Sequence, residues 1–243
     1  DIVAIEKEGD QQFYIFRNDG IDSDGNIILE EIFSYIQTDG STSRTLAIAD
    51  FDNDGDQDVY IPRKYGINWL FENQTLTGTF GDVQYNENPD PLFTEVALEK
   101  NVHDDSFVGL GSMGYGAAFG DYDNDNDNDL YLSNWGINRL YRNDNGNFTD
   151  VTSIYNVYSD SLSNGASWGD FNNDGKLDLW AGNIRRRDDV FLNSGAIEWS
   201  NSHSPEFLTA TQDIVAGDYN GDGWLDAFTP GLEMVNPPAG PRY

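Results

Sequence analysis

The sequence predicts an all-β chain: a β-propeller, represented in part, of four-stranded antiparallel blades. Three observations predict it. One pattern recurs four times, as LAIADFDNDGDQDVYI (46–61), AAFGDYDNDNDNDLYL (117–132), ASWGDFNNDGKLDLWA (166–181) and IVAGDYNGDGWLDAFT (214–229). Its first aspartates, Asp50, Asp121, Asp170 and Asp218, lie 71, 49 and 48 residues apart, about one four-stranded blade per interval. Units this short, punctuated by Gly, Asn and Asp, leave no space for helices of useful length.

In chain order, DIVAIEKEGDQQFYIFRNDG (1–20) aligns with DLYLSNWGINRLYRNDNG (129–146). Asp1 then falls where the last aspartate of an acidic loop belongs, and 1–43 is expected to be a partial blade. A blade at about 44–102 follows: a strand into the loop, a strand out, a third strand ending in Asn and a fourth carrying an aromatic. Its greater length is absorbed by LTGTFGDVQYNENPDP (76–91), expected to be a loop insertion. Blades at 113–160 and 163–210 have the same order. A partial blade at 211–235 and the turn-rich tail NPPAGPRY (236–243) complete the chain, which is expected to be a segment of a longer protein.

The acidic loops carry the chemistry. Carboxylates at positions 1, 3, 5 and 9 of a tight loop repel one another unless a cation lies between them. The expected side-chain ligands are Asp50, Asp52, Asp54 and Asp58; Asp121, Asp123, Asp125 and Asp129; Asp170, Asn172, Asp174 and Asp178; and Asp218, Asn220, Asp222 and Asp226. Position 7, which is Asp56, Asp127, Lys176 or Trp224, is expected to offer only its backbone carbonyl, so its side chain should not matter. An all-oxygen cage of flexible geometry suits Ca²⁺, with about four sites, one per loop. Position 6 needs a turn with positive φ, which accounts for Gly55, Gly175 and Gly223, and Asn126 is the next most tolerant choice. An EF-hand would need Glu at position 12, where these loops have Ile61, Leu132, Ala181 and Thr229. GIDSDGNIILEE (20–31) does carry Glu31 there, but it begins on Gly20 and is expected to be a turn.

Composition agrees with a folded acidic module. Aromatics at 14% are too abundant for a disordered acidic tail. A net charge of -30 argues against nucleic acid or an anionic membrane surface as partner, and favours cations or basic proteins. A haloadapted surface would look similar. There are no cysteines, hence no disulfides or thiolate sites, and no apolar run long enough for membrane insertion.

These blocks, notably GYGAAFGDYDNDNDNDLYL with NRLYRNDNGNFTDVT, resemble the FG-GAP/VCBS repeat family of calcium-bearing propeller blades, also found in integrin α-subunits. The resemblance is nearest to the branch containing cartilage acidic protein and bacterial ASPIC/UnbV proteins. It implies a secreted or cell-surface propeller with calcium at the loop positions named above.

Other features point to no catalytic centre. GLGSMG (109–114) matches a dinucleotide fingerprint but runs into a strand and an acidic loop, not a helix. His103 and His203 stand alone, and the clustered carboxylates are already assigned to ions. Arg185, Arg186 and Arg187 form a basic turn, either simply solvated or an anionic-ligand contact, and the tryptophans are expected in the core or between blades, with sugar stacking as the alternative. The expected function is a calcium-binding extracellular adhesion or recognition module with structural calcium, no enzyme in itself, facing a protein or glycan ligand. Two alternatives stand beside it: the non-catalytic, substrate-holding propeller of a secreted polysaccharide-active lyase or hydrolase, and a structural subunit of an extracellular filament or coat.

Overall fold

The computed structural model describes residues 2–5, 12–36, 39–77, 84–85, 92–104, 112–159, 162–184, 186–196, 199–203 and 210–232. Asp1, the tail 236–243, Arg185 and the first three residues of GLGSMG lie outside them. The chain divides into two compact units, residues 1–114 and 115–243. Both are built from antiparallel strands, and the one α-helix among the described residues is the single turn Thr152–Tyr155. The all-β, four-stranded architecture expected from the sequence is what forms, consistent with part of a propeller.

In the first unit, Ile2–Ile5, Gln12–Ile21 and Ile27–Ile36 pair in that order. The GIDSDGNI segment makes the turn between the last two strands. There the Asp22 carboxylate accepts the backbone N–H groups of Asp24 at 2.8 Å and Asn26 at 2.9 Å, as expected of a turn. A four-stranded sheet follows, in the order Phe93–Glu95, Trp69–Asn73, Asp58–Ile61, Ala47–Ala49. The first acidic loop joins Ala47–Ala49 to Asp58–Ile61 as a hairpin, with Ala49 opposite Asp58. Asp58–Ile61 is buried along its whole length, because this inner strand is covered on both faces. Val59, Ile61, Trp69, Phe71 and Phe93 form one core with Phe13 and Ile15 of the first sheet. The insertion contains a short ladder, Leu76–Thr77 with Gln84–Tyr85, where the sequence predicts only a loop.

The second unit repeats the plan. Ser112–Gly120, Asp129–Asn134, Arg139–Asn143 and Phe148–Asp150 run in sequence order across one sheet. Leu162–Gly169, Asp178–Ile184, Asp189–Leu192 and Ser200–His203 do so across the next. Val215–Gly217 pairs with Asp226–Phe228 around the fourth loop. Between the two larger sheets lies a core of Tyr122, Tyr131, Leu140, Leu179, Phe191 and Trp199, with Trp168 packed against it. The inner strands approach so closely that a Cβ on Gly116 would sit 1.9 Å from the Asn164 carbonyl oxygen. No other residue fits there.

At the far end of each blade, a buried side chain ties the turn between second and third strands. Asn68 accepts the Arg63 N–H at 2.7 Å and donates to the Tyr60 hydroxyl at 2.9 Å. Asn138 does the same with Asn134 and Tyr131, at 2.8 and 2.9 Å. In the third case both partners change together. Asp188 accepts the Asn183 N–H at 2.8 Å and the Trp180 indole N–H at 3.1 Å. A carboxylate replaces the amide where a pure donor replaces the tyrosine hydroxyl.

Candidate metal centres

The four acidic loops share one circuit of hydrogen bonds. The carboxylate at position 1 accepts the N–H of position 5 through one oxygen, at 3.1 Å for Asp50, Asp121 and Asp218 and 3.0 Å for Asp170. Its other oxygen accepts the N–H of position 6, at 3.0 Å in the first two loops, 2.9 Å in the third and 2.8 Å in the fourth. Position 5 in turn accepts the N–H of position 7, at 3.1, 2.9, 3.0 and 2.9 Å in chain order. Position 1 therefore organises the backbone while its carboxylate stays inside the loop.

Two left-handed residues make this curvature possible. Position 6 has φ of 101° at Gly55, 75° at Asn126, 86° at Gly175 and 90° at Gly223. Position 4 is left-handed as well, at Asn53 (60°), Asn124 (62°), Asn173 (56°) and Gly221 (75°). The second requirement is missed by reasoning from position 6 alone, although its signal is plain: only Asn and Gly occur there.

In the first loop Asp50, Asp52 and Asp54 bring carboxylate oxygens within 4.8 Å of one another, and Asp121, Asp123 and Asp125 do so in the second. Burial pushes Asp52 up to about 6, with Asp54, Glu72 and Asp50 adding repulsion. Asp123 is likewise pushed up to about 6 by burial, then by Asp125 and Asp121. In the third and fourth loops position 3 is an amide. Its oxygen accepts the position 5 N–H and its NH₂ donates to the position 5 carboxylate, at 3.3 Å for Asn172 and 3.1 Å for Asn220.

Position 9 is placed differently from positions 1, 3 and 5. In the first three loops both its oxygens accept backbone N–H groups. Asp58 takes those of Phe51 at 3.0 Å and Asn73 at 2.8 Å; Asp129 those of Tyr122 at 3.0 Å and Asn143 at 2.8 Å. Asp178 takes those of Phe171 at 3.1 Å and Asn193 at 2.8 Å. It thus clamps the loop to the third strand, and each oxygen keeps a further lone pair. Burial drives Asp58 up to about 9 and Asp129 up to about 8, although these N–H bonds oppose the shift. A cation in the loop would restore the charged form. The Asn that ends each third strand is visible in the sequence, but what it does there is not. Asn73, Asn143 and Asn193 also donate from Nδ2 to the position 8 carbonyl, at 3.3, 3.0 and 3.2 Å.

Position 7 requires a correction. The sequence predicts a side chain of no consequence there, yet Asp127 is buried and accepts the Asn145 N–H at 2.6 Å, fixing the next turn. Lys176 lies 3.7 Å from the Asp174 carboxylate, whereas Trp224 is about half exposed. The position 7 side chain therefore has a structural role in the second loop, and its surroundings differ in the third and fourth.

The FG-GAP-like repeat model matches residues 1–61, 121–181 and 170–229. This chain belongs to the FG-GAP-like repeat family. Each matched stretch ends three residues past position 9 of an acidic loop, at Ile61, Ala181 and Thr229, so the family unit runs from loop to loop. No curated protein matches the chain. Repeats of this family are typical of extracellular proteins and typically non-catalytic. Among the described residues no helix is long and apolar enough to cross a membrane. With oxygen donors only, and three carboxylates converging in each of two loops, the residues fit a hard divalent cation.

Proposed function

We propose that this FG-GAP chain is a calcium-binding propeller module of a secreted or surface-displayed protein, with calcium in a structural role and a protein or glycan as its recognition partner. One observation carries the reading: the same hydrogen-bond circuit closes all four loops, and in two of them it gathers three carboxylates that would otherwise repel. Positions 1, 3 and 5 would supply side-chain oxygens, position 7 a carbonyl and position 9 its remaining lone pairs. Calcium supplies the positive charge that lets these oxygens remain ionised together. The protein's own part is to hold them on a rigid hairpin between the first two strands of a blade.

Binding to the folded state alone stabilises it by mass action. At millimolar calcium and a ~10 µM site, that is about 2.7 kcal/mol per loop. Excess chelator should therefore lower the melting temperature by many degrees, and added calcium should restore it while magnesium restores less. A melting curve indifferent to chelator would sink the proposal.

A further inference from the structure

The second and third loops are joined by an unbroken run of hydrogen bonds through Asn193. Asp129, at position 9 of the second loop, accepts the Tyr122 N–H at 3.0 Å. The carbonyl of Tyr122 accepts from Asn193 Nδ2 at 2.8 Å, across the boundary between two blades. The same Nδ2 donates at 3.2 Å to the Leu177 carbonyl, next to position 9 of the third loop. The Asn193 N–H completes the path by donating to Asp178, the position 9 residue of that loop, at 2.8 Å. Tyr122, Asp129, Asp178 and Asn193 are all buried, so water offers no ready substitute for these bonds.

We propose that Asn193 is a positioning residue that couples calcium uptake by the second and third loops. This rests on the calcium reading above and goes beyond it. Ordering Asp129 around one ion fixes both the N–H and the carbonyl of Tyr122. That holds the Asn193 side chain in the rotamer that also donates to the Leu177 carbonyl, beside Asp178, while the Asn193 N–H clamps Asp178 itself. Whichever loop fills first meets part of the ordering cost of the other, so the coupling is positive and reciprocal. Repulsion between the two ions opposes it, but acts partly through salt-screened solvent. A second link continues the path: Asn173, at position 4 of the third loop, donates to the Gly223 carbonyl of the fourth at 3.1 Å.

The test is a calcium titration of the full chain by amide NMR, reading the second loop at the Asn126 amide and the third at Gly175. Asp174→Ala, which disables the third loop, should weaken calcium binding at the second by about fivefold, and Asp123→Ala should weaken the third by the same factor. Asn193→Ala should abolish both cross-effects. A merely structural Asn193 would lower stability and leave the cross-effects intact. Loops that ignore each other's variants overturn the coupling and leave the calcium reading standing. No calcium response at either amide overturns both. Should Asn193→Ala fail to fold, the reciprocity between Asp174→Ala and Asp123→Ala still decides.

Discussion

The second and fourth loops share a hydrogen-bond circuit but differ in surroundings. In the second, Asp129 is fully buried and clamps both Tyr122 and Asn143. In the fourth, Asp226 is half-buried, it takes the Tyr219 N–H at 3.1 Å, and Tyr219 is 85% exposed. Burial pushes Asp129, at position 9 of the second loop, up to about 8. In the fourth loop the N–H groups of Gly223 and its neighbours hold Asp218, at position 1, below the usual carboxylate range. Loop shape is therefore a local property of nine residues. What those carboxylates cost, and what they brace, is set by the strands around them.

The sharpest way to break this comparison is to truncate both position 9 aspartates. Asp129→Ala leaves two N–H groups without their acceptor in a dry site and removes an ion ligand. It should cost about 3–5 kcal/mol in calcium. Asp226→Ala, on a hairpin open to water, should cost less, at most the roughly 2.7 kcal/mol that the ion would add to its loop. Equal losses in urea denaturation would show that burial does not distinguish the loops.

Position 7 sharpens it at smaller amplitude. Asp127→Ala should cost about 1–2 kcal/mol, because the Asn145 N–H loses its acceptor. Lys176→Ala should change stability by less than about 0.5 kcal/mol, since its ion pair with Asp174 is substantially exposed. Calcium stoichiometry should be unchanged in both, as expected of residues whose proposed contribution to the ion is a carbonyl.

A contrast within one position, the sixth of the second loop, is finer still. Asn126→Ala should destabilise by about 1 kcal/mol, the penalty of a left-handed alanine. Asn126→Gly should be nearly neutral, because relief of strain is offset by a more flexible unfolded chain. Thermal melts of the two variants at fixed calcium would separate them.

These contrasts also explain how much is legible in the sequence. The repeat, the strand order and the count of nine follow from local spacing, and Asn126 does stand in for glycine at a positive φ. The clamp from Asp58 to Asn73 joins residues fifteen apart, and it exists only once the strands have paired in register. Composition carries no trace of that register, so the asparagine ending each third strand can be seen but not assigned. The exchange of Tyr131 with Asn138 for Trp180 with Asp188 is hidden for the same reason: either change alone looks like drift. Asp127 shows the opposite error. A position that varies among loops reads as idle, when Asp127 and Lys176 have each taken up a different neighbour.

The position 1 aspartates have one further consequence, for rates. By holding the amides of positions 5 and 6, Asp121 fixes the backbone curve of its loop through bonds made entirely by the protein. Under the calcium reading proposed above, positions 5 and 6 would need no rearrangement on entry, and the rate there would follow how quickly the ion sheds its water. Magnesium gives up its hydration shell reluctantly and demands a tighter octahedron. If the loops take calcium as proposed, such a curve would favour it over magnesium at the moment of arrival, even in fluids where both are plentiful.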